Sequence, residues 1–157
     1  MNRNGRLQIV AVGRLRPPHD TAARVYEDRI RDRVGLRVDE VAAEKLQVGE
    51  AQVTRREAER IGSRILDGAW TVALDLGGRA PASSEALAVW LGKRLEVARP
   101  VTFLIGGAAG LDRELVSRAD ERMSLGPLTL PHQLARVVVA EQIYRSLCIL
   151  AGHPYHH

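Results

Sequence analysis

The chain closes on "AGHPYHH", which places His153, Tyr155, His156 and His157 within five residues. Imidazole gives and takes protons near neutrality, and tyrosine or histidine rings can stack on a nucleobase. The same cluster also fits a frayed tail, or, for the last histidine, the remnant of a purification tag. With one cysteine and no Cys/His spacing elsewhere, no metal site is expected. Upstream lie two Gly-bearing turns that could hold a ligand. "FLIGGAAG" (103–110) runs into "LDRELVSRAD", and "SLGPLTLPHQLAR" (124–136) leads into a second helix. Glycines in such turns let a ligand approach the backbone, and a helix start attracts an anion. "GGAAG" is not the G-x-G-x-x-G dinucleotide fingerprint, follows the fourth strand, and lacks a downstream acidic ribose ligand. The two turns are either ordinary punctuation or two walls of one ligand site.

The elements around these residues alternate from end to end. "LQIVAVG" (7–13) reads as a buried strand that stops at Gly13 and Pro17-Pro18. A helix is expected over 21–34, a half-exposed strand over 36–42, and a charged helix over 48–66 with Val53, Ala58, Ile61 and Ile65 inward. "WTVALD" (70–75) is a strand broken by "LGG", and its Asp75 can cap a turn or face a ligand. Ser83 is placed to cap a helix reaching about Val97, and Asp112 to cap the helix after "VTFLIG" (101–106). "MSLGPLTL" (123–130) contains a short strand or extended segment, and the last helix runs from about Pro131 to Ala151. Alternating strands and helices imply an α/β domain with a mainly parallel sheet flanked by helices. No linker or repeat divides residues 1–157, so one domain is expected. The last helix is apolar nearly all round, which requires packing on more than one side, by the chain itself or by a second subunit.

The totals narrow the partners. At 157 residues, 45% hydrophobic and 27% charged, the chain can bury a core, and disorder is not the default. No apolar run is long enough to cross a bilayer, and "MNRNGRLQIV" lacks a signal core. The lone Cys148 can form no internal disulfide, in keeping with a cytoplasmic setting. A net charge of +4, carried by arginines except for Lys45 and Lys93, suits a polyanion such as RNA.

"LQIVAVG", "VALDLGG", "FLIGGAAGL", "SLGPLTLPHQLARVVVAEQIYR" and the terminal "GHPYH" stand in the order and spacing of a known family. The chain resembles, over essentially its whole length, the ribosomal large subunit methyltransferase H family of small SPOUT-class RNA methyltransferases. The resemblance implies transfer of a methyl group from S-adenosylmethionine to N3 of a pseudouridine in the helix 69 loop of 23S rRNA, on the assembled ribosome. It also implies a homodimer and a C-terminal trefoil knot, which the general absence of knots would have excluded. By position, Leu74, Gly106, Leu125, Gly126, Pro127, Leu128, Thr129 and Leu130 would line the donor pocket. Tyr155 or His156 would position the base or take its proton, with Arg136, Arg145 and His153 toward RNA. His157 stands where the family's tail carries a basic residue. Two other functions fit the same residues. One is a non-catalytic RNA-binding or ribosome-assembly protein of the same fold, and the other is a phosphate- or nucleotide-binding enzyme built on "GGAAG".

Overall fold

A computed structural model describes residues 6–156. Its five strands are β1 (Leu7–Val12), β2 (Leu36–Val41), β3 (Trp70–Arg79), β4 (Val101–Ile105) and β5 (Glu121–Met123). They form one sheet in the order β2-β1-β4-β3-β5, and every ladder is parallel. The α/β expectation is met. Helices α1 (His19–Val34), α3 (Ser84–Glu96) and α5 (His132–Leu150) cover one face; α2 (Glu50–Gly62) and α4 (Arg113–Arg118) cover the other.

A sheet covered on both faces explains why β1 and β4 are apolar without alternation. Leu7, Ile9 and Ala11 pack with Val101, Phe103 and Ile105 toward α1, α3 and α5, whereas Val10, Val12 and Leu104 pack with Ile61 and Val116. Gln8 is the polar exception, fully buried and fully bonded. Its amide nitrogen donates to Asp39 Oδ2 and the Arg64 carbonyl, both at 2.7 Å. Its oxygen accepts from Thr102 Oγ1 at 2.8 Å and Leu66 N at 3.1 Å. Ser83 caps α3 by accepting from Ala86 N, and Asp112 caps α4 by accepting from Glu114 N and Leu115 N, as expected.

Helix α5 lies between α1 and α3 on the sheet, which accounts for most of its apolar surface, while Leu134 and Leu150 at its two ends stay exposed. Val139, Ala140, Ile143, Leu147 and Cys148 are buried within the chain's own core.

Several expected boundaries shift. The helix expected over 48–66 is shorter: a 3-10 turn covers Leu46–Val48, and α2 ends at Gly62. Glu57, not Ala58, shares the buried stripe of Val53 and Ile61, because its carboxylate accepts from Glu44 N at 3.0 Å. β3 does not stop at "LGG". Leu74 and Arg79 both register with Met123 of β5, so residues 75–78 loop out and the strand resumes. Gly78 permits this, since a Cβ there would stand 2.7 Å from the Arg122 carbonyl carbon and Met123 N. The short strand precedes "SLGPLTL", which is irregular.

Candidate functional site

Parallel strands end on one edge, so the 75–78 excursion of β3 and the segments after β4 and β5 come together there. They enclose a cavity of about 730 Å³. Leu74, Gly106, Leu125, Gly126, Leu128, Thr129 and Leu130 all line it, so the two glycine-bearing turns border one cavity. Pro127 belongs to the same loop but does not line the cavity. Asp75, Leu76, Ser124 and His132 line it without having been singled out as its walls.

Each wall is held by local chemistry. The β4–α4 turn closes on itself through Gly110 N to the Gly107 carbonyl at 3.0 Å. A Cβ on Gly106 would meet the Gly110 carbonyl carbon at 2.5 Å, so this glycine is required by the turn's own backbone rather than by a ligand. In the β5–α5 loop Ser124 Oγ donates to the Gly126 carbonyl at 2.8 Å and accepts from Gly126 N at 3.1 Å. That hydroxyl turn presents Leu125 and Leu128 at the rim, the latter 77% exposed.

Asp75 braces the third wall. Arg113 Nη2 donates to one carboxylate oxygen and Arg122 Nη2 to the other, both at 2.7 Å, and Gly77 N adds a contact at 3.2 Å. Burial by itself would raise this carboxyl. The hydrogen bonds from Arg122 and Arg113 and their charges outweigh it and hold Asp75 below the usual aspartate value. A depressed carboxyl contributes stability above its unfolded value and loses it as pH falls through the folded one. Wild type should therefore lose more melting temperature than Asp75→Asn between about pH 5 and pH 3, and parallel curves would refute the brace.

The arginine and tail residues lie elsewhere. Arg136 is 5% exposed, its Nη1 donating to Glu40 Oε2 at 2.5 Å and its Nη2 lying 3.6 Å from Glu27 Oε1. It is a buried cation committed to two carboxylates, which is at odds with its expected place on an RNA phosphate. Burial, opposed chiefly by Arg136, pushes the Glu27 carboxyl up. Arg145 donates to Glu141 Oε1 at 2.6 Å, and the Tyr155 hydroxyl donates to the same oxygen at 3.2 Å. The Tyr155 ring packs edge-on to Tyr144 at 4.8 Å, with the Arg145 guanidinium 5.1 Å from its centroid. Burial, then Tyr26 and Glu141, raise the Tyr155 phenol well above its ordinary value, so at neutral pH it is a hydrogen-bond donor and not a base. His153 is exposed, its backbone N–H donating to the Cys148 carbonyl at 2.8 Å. Arg145, His153 and Tyr155 do not line the cavity. The His156 side chain and His157 lie outside the described residues. Among the described residues no group of three or more His, Cys, Asp or Glu is placed to hold a metal.

A family profile described as "Predicted SPOUT methyltransferase" matches residues 6–156. The chain belongs to this family. Within the SPOUT methyltransferases it falls among the proteins named ribosomal RNA large subunit methyltransferase H. It is 49% identical to the one from Acidiphilium cryptum, over 96% of this chain and 93% of that relative. The Gluconacetobacter diazotrophicus protein of the same name is 42% identical over 96% of both chains. A more distant one, from Carboxydothermus hydrogenoformans, is 39% identical over 96% of this chain and 98% of the relative. Among solved structures the chain is similar to the A. aeolicus TrmH/SpoU tRNA modifying enzyme. The TM-score is 0.47 at 16% identity, covering 96% of this chain and 79% of that one, too remote to carry inference.

For a SPOUT methyltransferase, the residues that sequence reasoning passed over had faint signals. His132 follows "TLP" at the first position of α5 and borders the loop already suspected. Ser124 sits two residues before a glycine, the spacing of a hydroxyl turn. Nothing local marked Leu76, which lines the cavity only because residues 75–78 leave the ladder.

Proposed function

We propose that this chain transfers the methyl group of S-adenosylmethionine to N3 of a pseudouridine in the helix 69 loop of 23S rRNA. It acts on the assembled ribosome in the cytoplasm, as a homodimer of single-domain subunits. The observation that carries this reading is the cavity at the carboxyl edge of the sheet, in a chain close over its length to ribosomal RNA large subunit methyltransferase H proteins. Its size is that of a small-molecule site, and its lining of leucines between glycine-bearing turns fits a flat purine read by backbone groups. Leu74, Leu125, Leu128 and Leu130 would cover the purine faces, while the amides of the 106–110 and 124–130 turns would hydrogen-bond its edge.

When bound, S-adenosylmethionine supplies an electrophilic methyl carbon, so the protein's main task is alignment. His132, at the rim of the cavity, and the tail residues are the groups that would orient the base and handle its proton. Tyr155 serves there as a donor, leaving His156 as the candidate acceptor. The tail and the cavity occupy separate parts of one chain, and a homodimer would offer the means to bring them into one site. The proposed trefoil knot fits the path in which the chain leaves β5, forms the 124–131 loop and returns between α1 and α3.

The test is transfer of labelled methyl from S-adenosylmethionine to ribosomes lacking the modification, followed by mapping of the label. Label on N3 of a pseudouridine in 23S rRNA is expected. Donor binding without transfer would instead leave a non-catalytic RNA-binding protein of this fold.

A further inference from the structure

We propose that the loop joining β1 to α1, residues 13–18, is a docking element for the rRNA backbone beside the cavity, with Arg14 and Arg16 each taking a phosphate. The proposal rests on the rRNA methyltransferase reading and adds to it a surface outside the donor pocket. Arg14 and Arg16 are both exposed, and neither side chain has a hydrogen-bond or ion-pair partner among the described residues. That sets them apart from Arg60, paired with Glu44, and Arg122, paired with Asp75. The nearest acid in sequence, Asp20 in the first turn of α1, is occupied locally, its carboxylate accepting from Thr21 N at 2.7 Å.

The backbone beneath these free charges is held at both ends. Gly13 N donates to the Val41 carbonyl at 2.8 Å, and the Gly13 carbonyl accepts from the buried Arg136 at 3.5 Å. Arg16 N donates to Gln133 Oε1 at 2.9 Å, and the Arg16 carbonyl accepts from His19 N at 2.8 Å. Gln133 and Arg136 both belong to the start of α5, where His132 and Ala135 line the cavity. The loop is therefore fixed to the same helix start that walls the donor site. Guanidinium forks on a fixed backbone suit phosphodiester oxygens, and fixing them in advance lowers the ordering cost of binding.

The experiment compares wild type with the Arg14→Ala/Arg16→Ala double variant, and with Arg55→Ala as a control on α2, across the sheet. Donor binding and melting temperature should match wild type in all three. For the double variant, KM for ribosomes should rise about 10-fold or more with kcat little changed. Its log–log salt dependence of rRNA affinity should flatten by roughly 1.4 to 1.8, the share of two phosphate contacts. A double lysine variant at the same positions should keep the slope. A double alanine variant with wild-type KM and slope overturns the docking loop while leaving the methyltransferase reading intact. If wild type binds rRNA without methylating it, the slope alone still decides the proposal. If wild type does not bind rRNA, the proposal fails along with the reading.

Discussion

Replacing Leu128 with Asp should leave the protein folded and weaken S-adenosylmethionine binding by about 10- to 100-fold. Leu128 is 77% exposed at the rim of the cavity, so the core loses nothing when it is changed. Covering a purine face would bury the side chain, worth about 1.5–3 kcal/mol for leucine, and each 1.4 kcal/mol is roughly tenfold in affinity. A carboxylate there would also have to be stripped of water against an apolar ring. Calorimetry of donor binding, alongside thermal melting, reads both halves of the prediction. Gly106→Ala is the informative contrast. Its Cβ would meet the Gly110 carbonyl carbon at 2.5 Å, so donor binding should fall together with melting temperature. An unchanged donor affinity in Leu128→Asp would refute the proposed purine contact of the 124–130 loop.

That contrast shows which parts of the site could be read from residue order. The two glycine-bearing turns were visible because each follows or precedes a regular element with a clear period, and parallel topology then forces their ends together. The reason for Gly106 was not visible: the atoms that exclude a side chain there belong to Gly110 and Leu111, brought close only when the turn closes. The excursion at residues 75–78 was hidden for a similar reason, since β3 pairs again with Met123 after leaving the ladder. Charged residues were the hardest to place. Glu57 and Arg136 look like solvent-facing positions in sequence, yet both are buried, Glu57 against the Glu44 amide and Arg136 against the Glu40 carboxylate. Arg136 meets Glu40 across 96 residues, a contact that no local pattern encodes.

Arg136→Leu should lower stability by about 3–5 kcal/mol, because it leaves Glu27 and Glu40 facing each other without their cation. For a chain of this size, that corresponds to a fall in melting temperature of roughly 10 °C. The deficit should depend on pH with a definite sign. Glu27 is already raised by burial, and Arg136 is the largest influence holding it down. A carboxyl raised in the folded state favours folding below its unfolded value, and that stability is lost as pH rises through the folded value. Without Arg136 the folded value climbs further. The variant should therefore approach wild type near pH 5 and fall furthest behind above neutrality. Adding Glu27→Gln to Arg136→Leu should recover part of the loss and flatten its pH dependence, since the neutral amide has no charge to strand. A deficit equal at pH 5 and pH 8 would mean that Arg136 acts by filling space. The same guanidinium also donates to the Gly13 carbonyl, so this one buried side chain ties the arginine loop to the start of α5, where His132 and Ala135 line the cavity.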